Sequence, residues 1–150
     1  MKAILVSILS ILFSGMLLNC STVNGRTSLA DQNSQIQREW MLVSFGDYTK
    51  SDLMKNGAQV NLTQKAEHNK IKGTAFMGCN SMFFTSEFKN SGDLKISEIG
   101  STLKACQEMK LETDFAKTFR NMTKYTIKGH MLTVTDDQGN KMEFIAADWD

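Results

Sequence analysis

Residues 125–144, YTIKGHMLTVTDDQGNKMEF, decide the architecture of this chain. Tyr125-Thr126-Ile127, Leu132-Thr133-Val134 and Met142-Glu143-Phe144 are three short runs of alternating apolar and polar residues. Such alternation, rich in β-branched and aromatic side chains, marks strands that bury one face. Lys128-Gly129-His130 separates the first pair and Asp136-Asp137-Gln138-Gly139-Asn140 the second. Gly, Asn and Asp in those places supply the turn conformations of hairpins, so the stretch is expected to fold as an antiparallel meander.

Working upstream, Leu111, Phe115, Phe119 and Met122 recur at helical spacing, with Lys, Glu, Asp and Arg between them. The pattern predicts one amphipathic helix of three to four turns. Before it the period returns to two. Trp40 to Phe45 reads as a strand with Trp40, Leu42 and Ser44 on one face; Ala58 to Leu62 shows Val60 and Leu62 on one side. Lys70 to Met77 alternates through Ile71, Gly73 and Ala75, Ser81 to Phe88 carries Phe83, Phe84 and Phe88, and Leu94 to Ile99 carries Leu94 and Ile96. Asn56-Gly57 and Asn90-Ser91-Gly92-Asp93 are turn signals between them. No proline interrupts the chain, which suits a compact sheet with tight turns.

The first 37 residues have a different character. Met1-Lys2 precedes an uncharged apolar run, Ala3 to Leu18, that is too short to span a bilayer comfortably and reads as the core of a signal peptide. It ends in Leu17-Leu18-Asn19-Cys20, which resembles a lipobox, the bacterial signal for lipidation of the cysteine and cleavage before it. A plain cleaved signal peptide and a short uncleaved anchor are the alternatives. Ser21 to Gln37 is polar and aperiodic, as a flexible tether would be, with a random-coil reach of some 20 to 25 Å. The expected organisation is therefore a lipoprotein signal peptide at 1–19, a tether at 20–37 and one domain at 38–150.

The chain has 150 residues and a formal net charge of +1, and removal of Lys2 with the signal peptide would balance its charges. With no basic cluster, there is no electrostatic footprint for nucleic acid, and attachment to a membrane would rest on the lipid at Cys20. Three cysteines in an exported chain leave one over when two pair. With Cys20 lipidated, Cys79 and Cys106 are the candidate disulfide, expected to stabilise the fold by about 3 to 4 kcal/mol on the chain-entropy account. A Cys-His nucleophile pair using His68 or His130 is the sharper alternative, and unpaired buried thiols the third. No strained elbow or oxyanion-hole signature surrounds either cysteine.

His68, His130 and the cysteines show no local ligand spacing, so no metal or other cofactor is expected. Eight methionines follow Cys20, scattered over strand and helix positions, and read as core packing rather than a copper site. Phe83 and Phe84 cannot both point inward from a regular strand. They are either an apolar contact patch for a partner or lipid, or are both covered through a bulge or loop.

Gly78-Cys79-Asn80 and Thr102-Leu103-Lys104-Ala105-Cys106 resemble the META domain, a family of small envelope proteins that includes heat-inducible bacterial lipoproteins. The likeness runs in order from Trp40-x-Leu42 through Ile71-Lys72-Gly73, Leu94-x-Ile96, Glu112, Phe115 and Phe119 to Tyr125-x-Ile127-x-Gly129-x-x-Leu132 and the strand at Gly139 to Phe144. The resemblance implies an α+β domain, a β-rich barrel-like antiparallel sheet with one helix, and no catalytic activity. It points to a lipid-anchored protein of the bacterial envelope, on the periplasmic face of the outer membrane, supporting stress tolerance or assembly through contacts with another envelope protein. The alternative function is binding of a lipid or small apolar ligand in the barrel interior or at Phe83-Phe84.

Overall fold

A computed structural model describes residues 34–149. Eight strands, β1 (Glu39–Phe45), β2 (Gln59–Asn61), β3 (Lys70–Phe76), β4 (Ser81–Phe88), β5 (Leu94–Ser101), β6 (Lys124–Lys128), β7 (Met131–Thr135) and β8 (Lys141–Ala146), form one antiparallel sheet. Helix α1 (Lys50–Lys55) follows β1, and helix α2 (Lys110–Phe119) lies between β5 and β6 in sequence. The strand order β5-β4-β3-β2-β1-β8-β7-β6 places the first and last strands side by side. The described residues thus enter mid-sheet with β1, build one wing as a meander, cross through α2 and return as the second wing.

The two outer strands approach each other through Leu94 N–H donating to Thr123 O (2.8 Å), Tyr125 N–H donating to Gly92 O (2.9 Å) and an Asp93–Lys124 ion pair. The sheet is therefore a curled half-barrel whose hollow is filled by side chains. Trp40, Leu42, Ile71, Phe84, Met142 and Phe144 come from the strands and Leu111, Phe115 and Phe119 from α2. Phe119 meets Phe84 edge-on (5.0 Å) and stacks on Phe115 (4.8 Å), and Phe115 meets Phe45 edge-on (6.3 Å). The helical spacing read from the sequence is the face that enters the hollow. Burial of these rings is the main favourable term of the fold, each worth about 1.5 to 3 kcal/mol relative to exposure.

The strands agree with the alternation in most places and depart from it at two bulges. In β1 the pairing with β8 shifts between Leu42 and Ser44, so Phe45 rather than Ser44 turns into the core after Trp40 and Leu42. One extra residue reverses every later side chain of a strand, and the sequence carries no local mark of it. In β5 a second shift faces Phe83 and Thr85 of β4, where Glu98 adopts a left-handed φ of 55°.

Two further features were not expected. Ile36, assigned to the tether, is buried in the core, and its carbonyl accepts a hydrogen bond from Trp40 Nε1 (2.9 Å). The packed domain therefore begins before Arg38. Helix α1 was not foreseen either. It is capped by Thr49, whose hydroxyl accepts from Asp52 N–H (3.1 Å). It ends where Gly57, at φ 59°, donates to Met54 O and Ala58 to Leu53 O, which satisfies the last carbonyls.

Candidate functional site

The polar cluster with the greatest burial lies where β3 turns into β4. After Met77 the chain passes through Gly78, whose φ of 109° suits glycine and whose missing Cβ leaves room for Asn56 Oδ1, 2.5 Å from where that atom would sit. Cys79 and Asn80 follow, and Asn80 is only 1 % exposed. Its side-chain oxygen accepts from Thr102 Oγ1 (2.8 Å) and from Lys104 N–H (2.7 Å). Its amide nitrogen donates to Glu112 Oε1 (2.9 Å) and to Lys104 O (3.3 Å), and its backbone N–H donates to Glu112 Oε2 (2.7 Å). A side-chain amide has two acceptor positions and two donor hydrogens, and all four are used.

Glu112 sits in the first turn of α2, where the helix dipole favours a negative charge. Met109, the N-cap, makes no side-chain cap, and the Glu112 carboxylate instead receives two N–H groups from Asn80. The disulfide Cys79–Cys106 closes the same corner, with Cα atoms 6.2 Å apart and the two cysteines 27 positions apart in sequence. The connection between β5 and α2 is thus pinned at Thr102, Lys104 and Cys106. Between the first two pins Leu103 projects into solvent, 97 % exposed.

Chemically this arrangement fixes shape. A general base needs a lone pair facing a substrate, whereas both Glu112 oxygens accept internal hydrogen bonds and the Cys79 sulfur is in a disulfide. His68 and His130 take no part in the cluster. His68 occupies the turn between Glu67 and Lys70, at φ 50°, and His130 lies against Trp149 with ring centres 3.7 Å apart and the planes tilted by 35°. Among the described residues no three His, Cys, Asp or Glu side chains converge as metal ligands.

Phe83 and Phe84 separate as strand geometry requires. Phe84 turns into the hollow over Gly73, while Phe83 stays on the outer face, 54 % exposed, with its ring over Gly100. Of the expected apolar pair, one residue is therefore a surface feature and the other core. Leu103 was missed, because an isolated leucine in a polar block carries no periodic signal. Cys20 lies outside the described residues.

A second polar group joins α2 to the segment after β1. Asp114 accepts from Tyr48 Oη (2.6 Å) and from Lys110 Nζ (2.6 Å), and Lys110 reaches Tyr48 Oη at 3.2 Å. The hydrogen bond to Asp114, with that to Tyr48, pushes the Lys110 ammonium up to about 12. Asp114 is lowered first by Lys110 and then by Tyr48, and the Tyr48 hydroxyl is raised by burial and by Asp114. An open groove of about 630 Å³ borders this group, with Lys117 and Asn140 also on its wall. The charges there neutralise one another within the group, and exposed pairs of this kind contribute little to stability.

These features define a small α+β half-barrel with a disulfide-locked corner and no assembled catalytic constellation among the described residues. The chain belongs to the META domain family, whose model matches residues 32–149. The sheet is similar to that of a protein from Burkholderia xenovorans solved by NMR, at 16 % identity and a TM-score of 0.58, over 80 % of this chain and 88 % of that one. A DUF4847 family protein from Bacteroides vulgatus, solved by crystallography, aligns at 10 % identity and a TM-score of 0.49, over 77 % and 96 % of the two chains. No curated protein matches the chain. Among the described residues no helix is long and apolar enough to cross a membrane.

Proposed function

We propose that this META domain protein is a non-enzymatic lipoprotein of the bacterial envelope. It is held by a lipid on Cys20 at the periplasmic face of the outer membrane, and supports stress tolerance or assembly by contacting another envelope protein. The observation that carries the reading is the division of labour around Asn80. The buried Asn80–Glu112 contacts use both oxygens of the carboxylate and all four hydrogen-bonding positions of the Asn80 side-chain amide. The neighbouring Phe83 and Leu103 leave apolar surface in water. Chemistry would need the first kind of group free; recognition needs the second kind rigid and accessible.

The experiment is cross-linking and capture from intact envelopes with the full-length protein, comparing wild type with Phe83→Ser, Leu103→Ser and Cys20→Ala. The reading expects Cys20→Ala to leave the membrane fraction, and the two apolar variants to stay there while losing the captured partner. Replacement of His68, His130, Asp136 or Asp137 by Ala should leave any stress phenotype near wild type. A hundredfold loss from one of these changes in a folded protein would contradict the non-enzymatic reading.

A further inference from the structure

Three of the large apolar side chains exposed among the described residues, Met41, Met54 and Trp149, line one groove of about 440 Å³ between α1 and the outer face of β1 and β8. Local chemistry puts each there. Met41 stands on the outer face of β1 opposite Ile145 of β8. In α1 Leu53 turns inward, so Met54, the next residue, turns out. Trp149 follows β8, with its N–H on Ala146 O and its ring against His130, which fixes the indole while leaving it 52 % exposed. An indole that is rigid and half in water is poorly placed for a domain surrounded only by solvent.

The N-terminal segment joins the fold beside this groove. Arg38 pairs with Asp148 at 3.0 Å, and Ala147 N–H donates to Glu39 O at 2.8 Å, so residues 38–39 lie against the residues that precede Trp149. The sequence upstream contains the apolar run Ala3 to Leu18 and Cys20. Residues 21–33 join that sequence to the described domain, and thirteen residues of any conformation span at most about 45 Å. Whatever holds that upstream sequence in a bilayer holds this side of the domain near the same bilayer.

We infer that the groove is a membrane-docking face, in which Trp149, Met41 and Met54 enter the boundary between headgroups and acyl chains. The inference rests on the reading of the chain as membrane-anchored. Tryptophan suits that boundary because its ring is apolar and its N–H can stay wet, and Lys50 on the groove wall can keep its ammonium among the headgroups. Three side chains would bind a bilayer only weakly alone. A short tether raises their effective concentration at the surface, so a weak second contact is enough. With Lys50 as the groove's one cationic side chain, the contact is mainly apolar and depends only weakly on salt.

The test uses the full-length lipidated protein in vesicles of phosphatidylethanolamine and phosphatidylglycerol with brominated acyl chains, reading tryptophan emission. Only two tryptophans are present, and Trp40 is fully buried in the core, so Trp149→Phe supplies the background. Docking predicts loss of most Trp149 emission in brominated vesicles at low and high salt. Met54→Asp and Met41→Asp, both at exposed positions, should restore it while the protein still floats with the vesicles and keeps its Trp40 signal. Flotation with undiminished Trp149 emission would overturn the docking alone, and failure to float would overturn the anchor and the docking together. Loss of emission without bromine, together with a protein-concentration-dependent dimer weakened by Met54→Asp, would assign the groove to a second copy and overturn the inference.

Discussion

Two turns of this molecule are each organised by one side chain, and they differ in almost every consequence. At the β3–β4 turn Asn80 joins residues 22 to 32 positions away, on the loop after β5 and on α2, and is buried. At the β7–β8 turn Asp136 accepts from Gln138 N–H (2.9 Å), Asn140 N–H (2.8 Å) and Asn140 Nδ2 (2.6 Å), all within four residues and in water. Both satisfy backbone groups that the strands leave unpaired. Only the first ties separate parts of the fold together, and only there would removing the side chain strand buried donors and acceptors away from solvent. Hydrogen bonds of similar length thus differ in energetic weight through what replaces them when they are lost.

The comparison can be broken most forcefully at the disulfide. Cys79→Ser should lower unfolding stability by about 3 to 4 kcal/mol in denaturant titration. Asn80→Ala should follow at about 2 to 3 kcal/mol, because the Glu112 carboxylate and Lys104 N–H lose buried partners. The two changes combined should cost less than their sum, since both free the same loop. Near-additive costs would mean that the sulfur bridge and the amide hold different things.

A smaller effect is expected at Gly100→Ala. A Cβ there would lie 2.3 Å from the Phe83 ring, but that ring is on the surface and can swing away. The variant should fold with near-normal stability while Phe83 becomes more exposed, detectable as weaker partner capture or altered ring NMR shifts.

The smallest effect belongs to the Asp136 turn. The Asn140 side chain, then backbone N–H groups, hold the Asp136 carboxyl below its ordinary range, and Lys110 and Tyr48 do the same for Asp114. A depressed folded value means the group binds its proton more readily when unfolded. Its contribution is therefore present above the ordinary carboxyl range and lost as pH falls through the folded value. Stability should decline below about pH 4, and Asp136→Asn should flatten that decline slightly while leaving the neutral-pH midpoint close to wild type.

The contrast also explains what could be read from the sequence. Features whose causes lie within a few residues were legible: the alternation of Leu132, Val134, Met142 and Phe144, the turn at Gly139, and the core stripe of α2. The bulge that turns Phe45 inward was not, because it is set by pairing with β8, some hundred residues away in sequence. Helix α1 is six residues long with one buried side chain, too short for a period, although the Thr49 to Asp52 cap spacing was available as a signal. At the corner, resemblance picked out Asn80, Cys79, Cys106 and Glu112, but no spacing shows that the amide of one meets the carboxylate of another 32 positions away. The groove of Met41, Met54 and Trp149 was hidden for the same reason, since three separate segments compose it.

The most direct measurement of this account is a pair of double-mutant cycles run by denaturant titration, one on Asn80→Ala with Glu112→Ala and one on Asp136→Ala with Asn140→Ala. If Asn80 and Glu112 form a long-range clamp, their coupling should fall in the upper part of the range of about 0.5 to 3 kcal/mol seen for contacting residues, and the second cycle should give a coupling close to nil. Equal couplings in the two cycles, or independent effects at Asn80 and Glu112, would contradict it.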